Sequence, residues 1–119
     1  MKPILYALFM LFAALPAFAE EAAPAHWLKL VQPDHVCMVN NTAFEQPQIP
    51  VEVEGKTYYG CCMMCKERLE KDIAIRSAID PVSGNGMDKS NAVIGKAMDN
   101  TVYYFESMEN LKAFLKSEH

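Results

Sequence analysis

Three of the chain's four cysteines, Cys61, Cys62 and Cys65, fall within five residues, and the fourth, Cys37, lies 24 positions before the first of them. The chain has only 119 residues. A domain this small buries a modest core and gains from a staple, either a bound metal ion or a disulfide. The thiol cluster therefore limits the fold to one that gathers a distant cysteine onto a Cys-rich turn.

The residues around the cluster specify how that turn is made. Val51-Glu52-Val53-Glu54 alternates as a strand does, Gly55-Lys56 supplies a turn, and Thr57-Tyr58-Tyr59 is β-prone, so a hairpin is predicted. Cys62, Cys65 and Leu69 follow at i, i+3 and i+7 among the helix formers Lys66, Glu67, Arg68 and Glu70, which predicts an amphipathic helix. Glu67 with Lys71 and Arg68 with Asp72 are i, i+4 pairs on its solvated face. If the helix begins between Cys61 and Cys65, its first turn brings them together, and Cys37 closes the group from the preceding loop. A helix N-terminus also favours negative charge and eases thiol deprotonation.

The same order of elements returns further on. Ala92 to Gly95 reads as a strand, Asp99-Asn100 as a turn, Val102 to Phe105 as a strand, and Ser107 as the N-cap of a helix with Met108, Leu111, Phe114 and Leu115 on its buried face. The spacings repeat as well. Cys37 to Cys61 is 24 positions and Cys61 to Cys65 is four, while Ser83 to Glu106 is 23 and Glu106 to Asn110 is four. Tyr58-Tyr59 matches Tyr103-Tyr104, and Leu69 matches Phe114. The second unit repeats the first with Ser83, Glu106 and Asn110 in place of the thiols. It is expected to serve as a scaffold or docking half that completes a core neither unit holds alone.

Cys37, followed by Gly55-Lys56-Thr57-Tyr58-Tyr59-Gly60-Cys61-Cys62-Met63-Met64-Cys65-Lys66, resembles the TRASH and YHS group of small metal-binding domains. Asp80-Pro81-Val82-Ser83-Gly84 with Tyr103-Tyr104-Phe105 is similar to the YHS opening and its aromatic strand. The resemblance covers most of Asp34 to Ser117. The chain departs from the pattern in three ways: Gly60 stands where an aromatic residue is usual, the first gap is slightly long, and the second unit has no cysteine. The resemblance implies an α+β fold of two small ββα units, treble-clef-like and YHS-like, packed as a single domain. It also implies a role in metal trafficking, sensing or resistance.

The chemistry of the residues points the same way. Thiolates bind soft and borderline metals, so Cys37, Cys61 and Cys65 are the expected ligands of a transition metal ion. Cu(I) is satisfied by two or three soft donors, whereas Zn(II) prefers four. For the fourth position the candidates are Cys62 and His35. Cys62 also falls on the helical face of Cys65 and Leu69, where it reads equally as a buried bystander thiol. Met38, Met63 and Met64 flank the cluster and read first as core filling, with at most one of Met63 and Met64 facing it; Met87, Met98 and Met108 are assigned to packing or turns.

Location sharpens the choice between metal and disulfide. Lys2, the apolar run Ile4 to Leu15, Pro16 and the small-residue site Ala17-Phe18-Ala19 form a signal-peptide pattern, with cleavage expected after Ala19. The run is shorter than the roughly 20 apolar residues of a membrane span, so the mature form is expected to be soluble, without a span, and periplasmic or secreted. Residues 20–33 are expected to be a flexible leader and a short apolar segment, 34–79 the cysteine-bearing unit and 80–119 its cysteine-free copy. In an oxidising compartment four cysteines also suit disulfides, with Cys37 to Cys61 or Cys65 as the plausible bridge. A disulfide-stabilised interaction module without metal is thus the alternative.

An enzyme is not expected. Cys62-Met63-Met64-Cys65 is a C-x-x-C at a helix start, as in thiol–disulfide oxidoreductases, but no thioredoxin-like βαβ continuation follows. Of the histidines His26, His35 and His119, none stands beside a convincing nucleophile. Loss of Lys2 with the signal leaves ten Lys and Arg against fifteen Asp and Glu, a charge of −5, which argues against a nucleic-acid partner. The expected partners are a metal ion and a periplasmic metal-handling protein.

Overall fold

The computed structural model describes residues 28–117. The signal segment 1–19, the leader to Trp27, with His26, and the terminal His119 lie outside the described residues. The fold is α+β. Its elements are β1 (Lys29–Leu30), β2 (Val36–Cys37), β3 (Thr42–Ala43), β4 (Ile49–Val53), β5 (Lys56–Gly60), α1 (Met63–Lys71), β6 (Ser77–Ile79), β7 (Gly86–Asp88), β8 (Val93–Lys96), β9 (Val102–Phe105) and α2 (Met108–Ser117).

The first expected hairpin forms from β4 and β5, antiparallel with Val51 opposite Tyr58 and Val53 opposite Lys56. Its turn is one residue earlier than the sequence suggests. Glu54 and Gly55 both take positive φ, 52° and 81°, the backbone that a two-residue hairpin requires if it is to follow the strand twist. Lys56 consequently belongs to the strand. The helix α1 follows directly, and Leu69 packs from it into the core beside Val51 and Tyr58. Lys71 pairs with Glu67 at 3.0 Å as expected. Arg68 does not pair with Asp72, whose carboxylate instead accepts from the Ala74 amide and caps the turn beyond the helix.

The second hairpin, β8 with β9, sets Ile94 opposite Tyr104 and leads into α2. Ser107 is the N-cap, its Oγ accepting from the Asn110 amide at 3.1 Å. Leu111 and Leu115 are buried against Leu28 and Phe105, with Phe114 beside them. Met108, expected on that face, is 38% exposed, because the first turn lies outside the contact that α2 makes through Leu111 and Leu115.

One feature differs from the expected division of the chain. The segment before Asp34 does not stand apart as a leader: β1 pairs antiparallel with β8, giving a three-stranded sheet in the order β1-β8-β9. Burial of Leu28 against α2 holds it there. The two halves share a core, as expected of units packed as a single domain. Val36, Met38, Val51, Tyr58 and Leu69 from the first pack with Ile94, Val102 and Tyr104 from the second. This continuous apolar cluster ties the two halves into a single domain. No helix among the described residues is long and apolar enough to cross a membrane.

Candidate metal centre

Strand β5 ends at Gly60, and the chain passes through Cys61 and Cys62 before α1 begins. Cys62 is extended, with φ −157° and ψ 172°, and its carbonyl accepts from the Lys66 amide at 3.0 Å. The helix thus starts between Cys61 and Cys65, as the spacing predicts. Its first turn swings Cys65 back over β5, where the Cys65 Sγ lies 3.8 Å from Cys61 Sγ and 3.9 Å from Cys37 Sγ. All three sulfurs lie within 4.8 Å of one another. Two thiolates bound at about 2.3 Å to one tetrahedral ion stand about 3.8 Å apart, so the donor set fits a single thiophilic ion.

Gly60 makes the close approach possible. A Cβ at this position would lie 2.9 Å from Cys65 Cβ and 3.5 Å from Leu69 Cδ1. A larger side chain here would push α1 off the strand, because the helix carrying Cys65 sits directly on the end of β5.

Cys37 comes from β2 and is fixed by contacts that the sequence pattern did not indicate. Its carbonyl accepts from the Asn41 amide at 2.7 Å, closing a turn, and the Met38 amide donates to Tyr59 O at 2.9 Å, tying that turn to β5. The second half then grips the turn from the other side. Lys89 Nζ donates to Met38 O at 2.7 Å and to Asn41 Oδ1 at 3.0 Å. Tyr104 Oη donates to Asn41 Oδ1 at 2.8 Å, and the Val102 amide donates to Asn41 O. Asn40 Nδ2 reaches Cys61 Sγ at 3.6 Å. A lysine beside apolar strand residues and an Asn pair just after a cysteine were the only sequence signals for this support.

The four thiols are not equivalent. Burial pushes Cys65 up to about 12, reinforced by its hydrogen bonds to the neighbouring sulfurs. Cys61 is also raised, first by its hydrogen bond to Cys37 and then by burial. For Cys37 burial acts upward, but backbone hydrogen bonds from Asn40 and Val39 outweigh it and lower the value. Cys62 is lowered, first by the Cys65 amide. Burial pulls Lys89, only 5% exposed, down to about 8, against the attraction of Cys37. An ion entering the triangle therefore displaces protons held by Cys65 and Cys61.

The other proposed donors are placed differently. His35 is not brought into the cluster: its Nδ1 donates to Phe44 O at 3.2 Å and its Nε2 lies 3.8 Å from Asp34. Cys62 Sγ is 3.4 Å from Cys65 Sγ but stands outside the three-sulfur group. It is exposed rather than buried, because α1 begins after it and the helical face on which the periodicity placed it starts one residue later. Met38 is fully buried in the core, while Met63 and Met64 are 67% and 69% exposed.

The corresponding positions of the second half also meet. Ser83 Oγ donates to Glu106 Oε1 at 2.8 Å, and Asn110 Nδ2 donates to Asp80 Oδ2 at 2.9 Å. Asp80, fully buried, accepts from the Glu106 amide on the same oxygen and from the Val82 and Ser83 amides on the other. Burial raises its carboxyl, but these donors overcome that and hold it below the usual carboxylate range.

No protein-family model, curated protein or solved structure matches the chain, so the functional reading rests on the residues and their geometry.

Proposed function

We propose that the protein holds one soft or borderline transition metal ion, Cu(I) or Zn(II), on Cys37, Cys61 and Cys65, and acts outside the cytoplasm in metal trafficking, sensing or resistance. The observation that carries this reading is the sulfur triangle, assembled from a strand and a helix start 28 residues apart at the spacing a single ion demands. The resemblance of the Cys37 to Lys66 pattern to TRASH and YHS domains supports it. Cu(I) accepts three thiolates as they stand. Zn(II) would complete its tetrahedron with a fourth donor from outside the triangle, a place a water molecule can fill without Cys62, which is exposed and outside the three-sulfur group. The role is that of a carrier rather than an enzyme.

Native mass spectrometry of the protein, purified reduced and anaerobically with Cu(I) or Zn(II), tests this reading. One ion per chain is expected. Failure to retain either ion, with two disulfides in the aerobic sample, would establish the disulfide-stabilised interaction module instead. N-terminal sequencing of the protein recovered from the periplasmic fraction is expected to start at Glu20.

A further inference from the structure

Cys65 has two sets of partners. It belongs to the metal triangle with Cys37 and Cys61, yet the sulfur nearest to it is that of Cys62, at 3.4 Å against 3.8 and 3.9 Å for the other two. Cys62 is exposed and lies outside the triangle, whereas Cys65 is 7% exposed. With an ion bound to the three clustered sulfurs, Cys62 is the one thiol left uncoordinated and open to solvent. Disulfide formation needs the Cys62 and Cys65 sulfurs to close to about 2.05 Å, which side-chain rotation at Cys62 can supply because nothing buries it.

We propose that Cys62 is a thiol–disulfide exchange site for an external disulfide, small-molecule or protein-borne, and that its closure onto Cys65 dismantles the metal centre. The inference rests on the metal-binding reading above. The Cys62 thiolate attacks the external disulfide, forms a mixed disulfide and expels one thiolate. The Cys65 sulfur then attacks the Cys62 sulfur; the Cys62–Cys65 bond forms, the mixed disulfide breaks, and the second thiolate leaves. Cys62 and Cys65 together lose two electrons, which the external disulfide gains. The proton lost by Cys62 on ionising goes to one departing thiolate; the other leaves as thiolate or takes a proton from solvent, and the ion loses its bond to Cys65. Cys37 and Cys61 remain as two donors, too few to hold Zn(II). Cys62 thus makes retention of Zn(II) conditional on the redox state of the compartment, by a stoichiometric change and not by turnover.

The test uses the purified protein loaded anaerobically with Zn(II) and treated with oxidised glutathione. Released zinc is followed with a chromophoric chelator, and the bond formed is located by non-reducing peptide mapping. Wild-type protein is expected to release zinc as the Cys62–Cys65 bond appears, and Cys62→Ser to load one zinc yet release it about tenfold more slowly, since the exposed attacking thiolate is gone. Equal release rates in the two proteins would overturn the proposal, as would a wild-type map showing Cys37 joined to Cys61. Wild-type protein that loads no zinc or copper defeats the metal reading itself, and the switch falls with it. Normal loading with no effect of Cys62→Ser defeats the switch alone.

Discussion

Ser83 Oγ donates to Glu106 Oε1 at 2.8 Å, so the two positions that the internal spacing sets against Cys37 and Cys61 meet in the folded chain as those thiols do. Beside them Asp80 gathers four donors from three backbone amides and Asn110. A buried carboxylate is the knot of the second half, where the first half gathers thiols.

Replacing Asp80 with Ala strands those donors in the interior. Loss of charge-assisted hydrogen bonds with the partners left buried costs about 2–4 kcal/mol. Urea denaturation is expected to show this loss equally in metal-loaded and chelator-treated protein, because the Asp80 knot takes no part in the thiol cluster.

The thiol variants are expected to divide sharply. At a hundredfold excess of ion over its dissociation constant, binding adds about 2.7 kcal/mol, or roughly 10 °C in Tm for a domain of this size. Differential scanning fluorimetry of reduced protein with Zn(II) should record that rise for wild type and Cys62→Ser. Cys37→Ser, Cys61→Ser and Cys65→Ser should show little or none of it.

Gly60 and Gly55 give a paired test of how the site is packed. At Gly60 an added methyl would stand 2.9 Å from Cys65 Cβ, so Gly60→Ala shifts α1, costs about 1–3 kcal/mol through overpacking and weakens metal binding. Gly55 has open space around it but φ of +81°. Gly55→Ala is expected to cost about 1 kcal/mol through its backbone while leaving metal affinity, measured by competition with a chromophoric chelator, unchanged.

Lys89 and Tyr104 reach the thiol cluster only through the turn that carries Cys37. Removing such a support for a ligand typically lowers metal affinity by about 10- to 100-fold. Tyr104→Phe removes one hydrogen bond to Asn41 and is expected at the low end of that range. Lys89→Met removes two and is expected at the high end, with one ion still bound at saturation in both. The same competition assay reads both.

Asp88 contributes to the acid sensitivity of the fold. Burial raises its carboxyl, but hydrogen bonds from the Ser90 hydroxyl and amide, Tyr58 and Lys56 prevail and bring it to about 2. A carboxylate lowered on folding stabilises the native state above its unfolded value of about 3.9, and that stabilisation is lost as the pH falls toward 2. Unfolding free energies of wild type should therefore drop across this window. Asp88→Asn should be less stable at neutral pH, with a shallower fall below pH 4.

Much of the secondary structure was legible because it is locally encoded. Alternation gave β4, the aromatic run gave β5 and β9, and Ser107 gave the start of α2. The short pairs β2 with β3 and β6 with β7 were not legible, since two- and three-residue strands carry no periodicity and exist through their partners. Cys62 was misplaced because a helical period cannot say where the first turn begins, and one residue separates a buried face from an exposed N-cap. His35 was a reasonable donor by proximity in sequence. Its ring is taken up instead by Phe44 and Asp34, contacts that only the folded loop provides.

What the sequence by itself determined is which three thiols meet. Three cysteines at spacings of 24 and four residues, around a helix start, leave little freedom in how they can meet, because a helical turn brings residues four apart together. What only the tertiary structure decided is how that set is held. Lys89 and Tyr104 fix Cys37 through Asn41, Gly60 lets Cys65 approach, and Cys62 is left outside. Those relationships join residues up to 63 positions apart, and they arise from the shared core between the two halves, a long-range packing that no local pattern encodes.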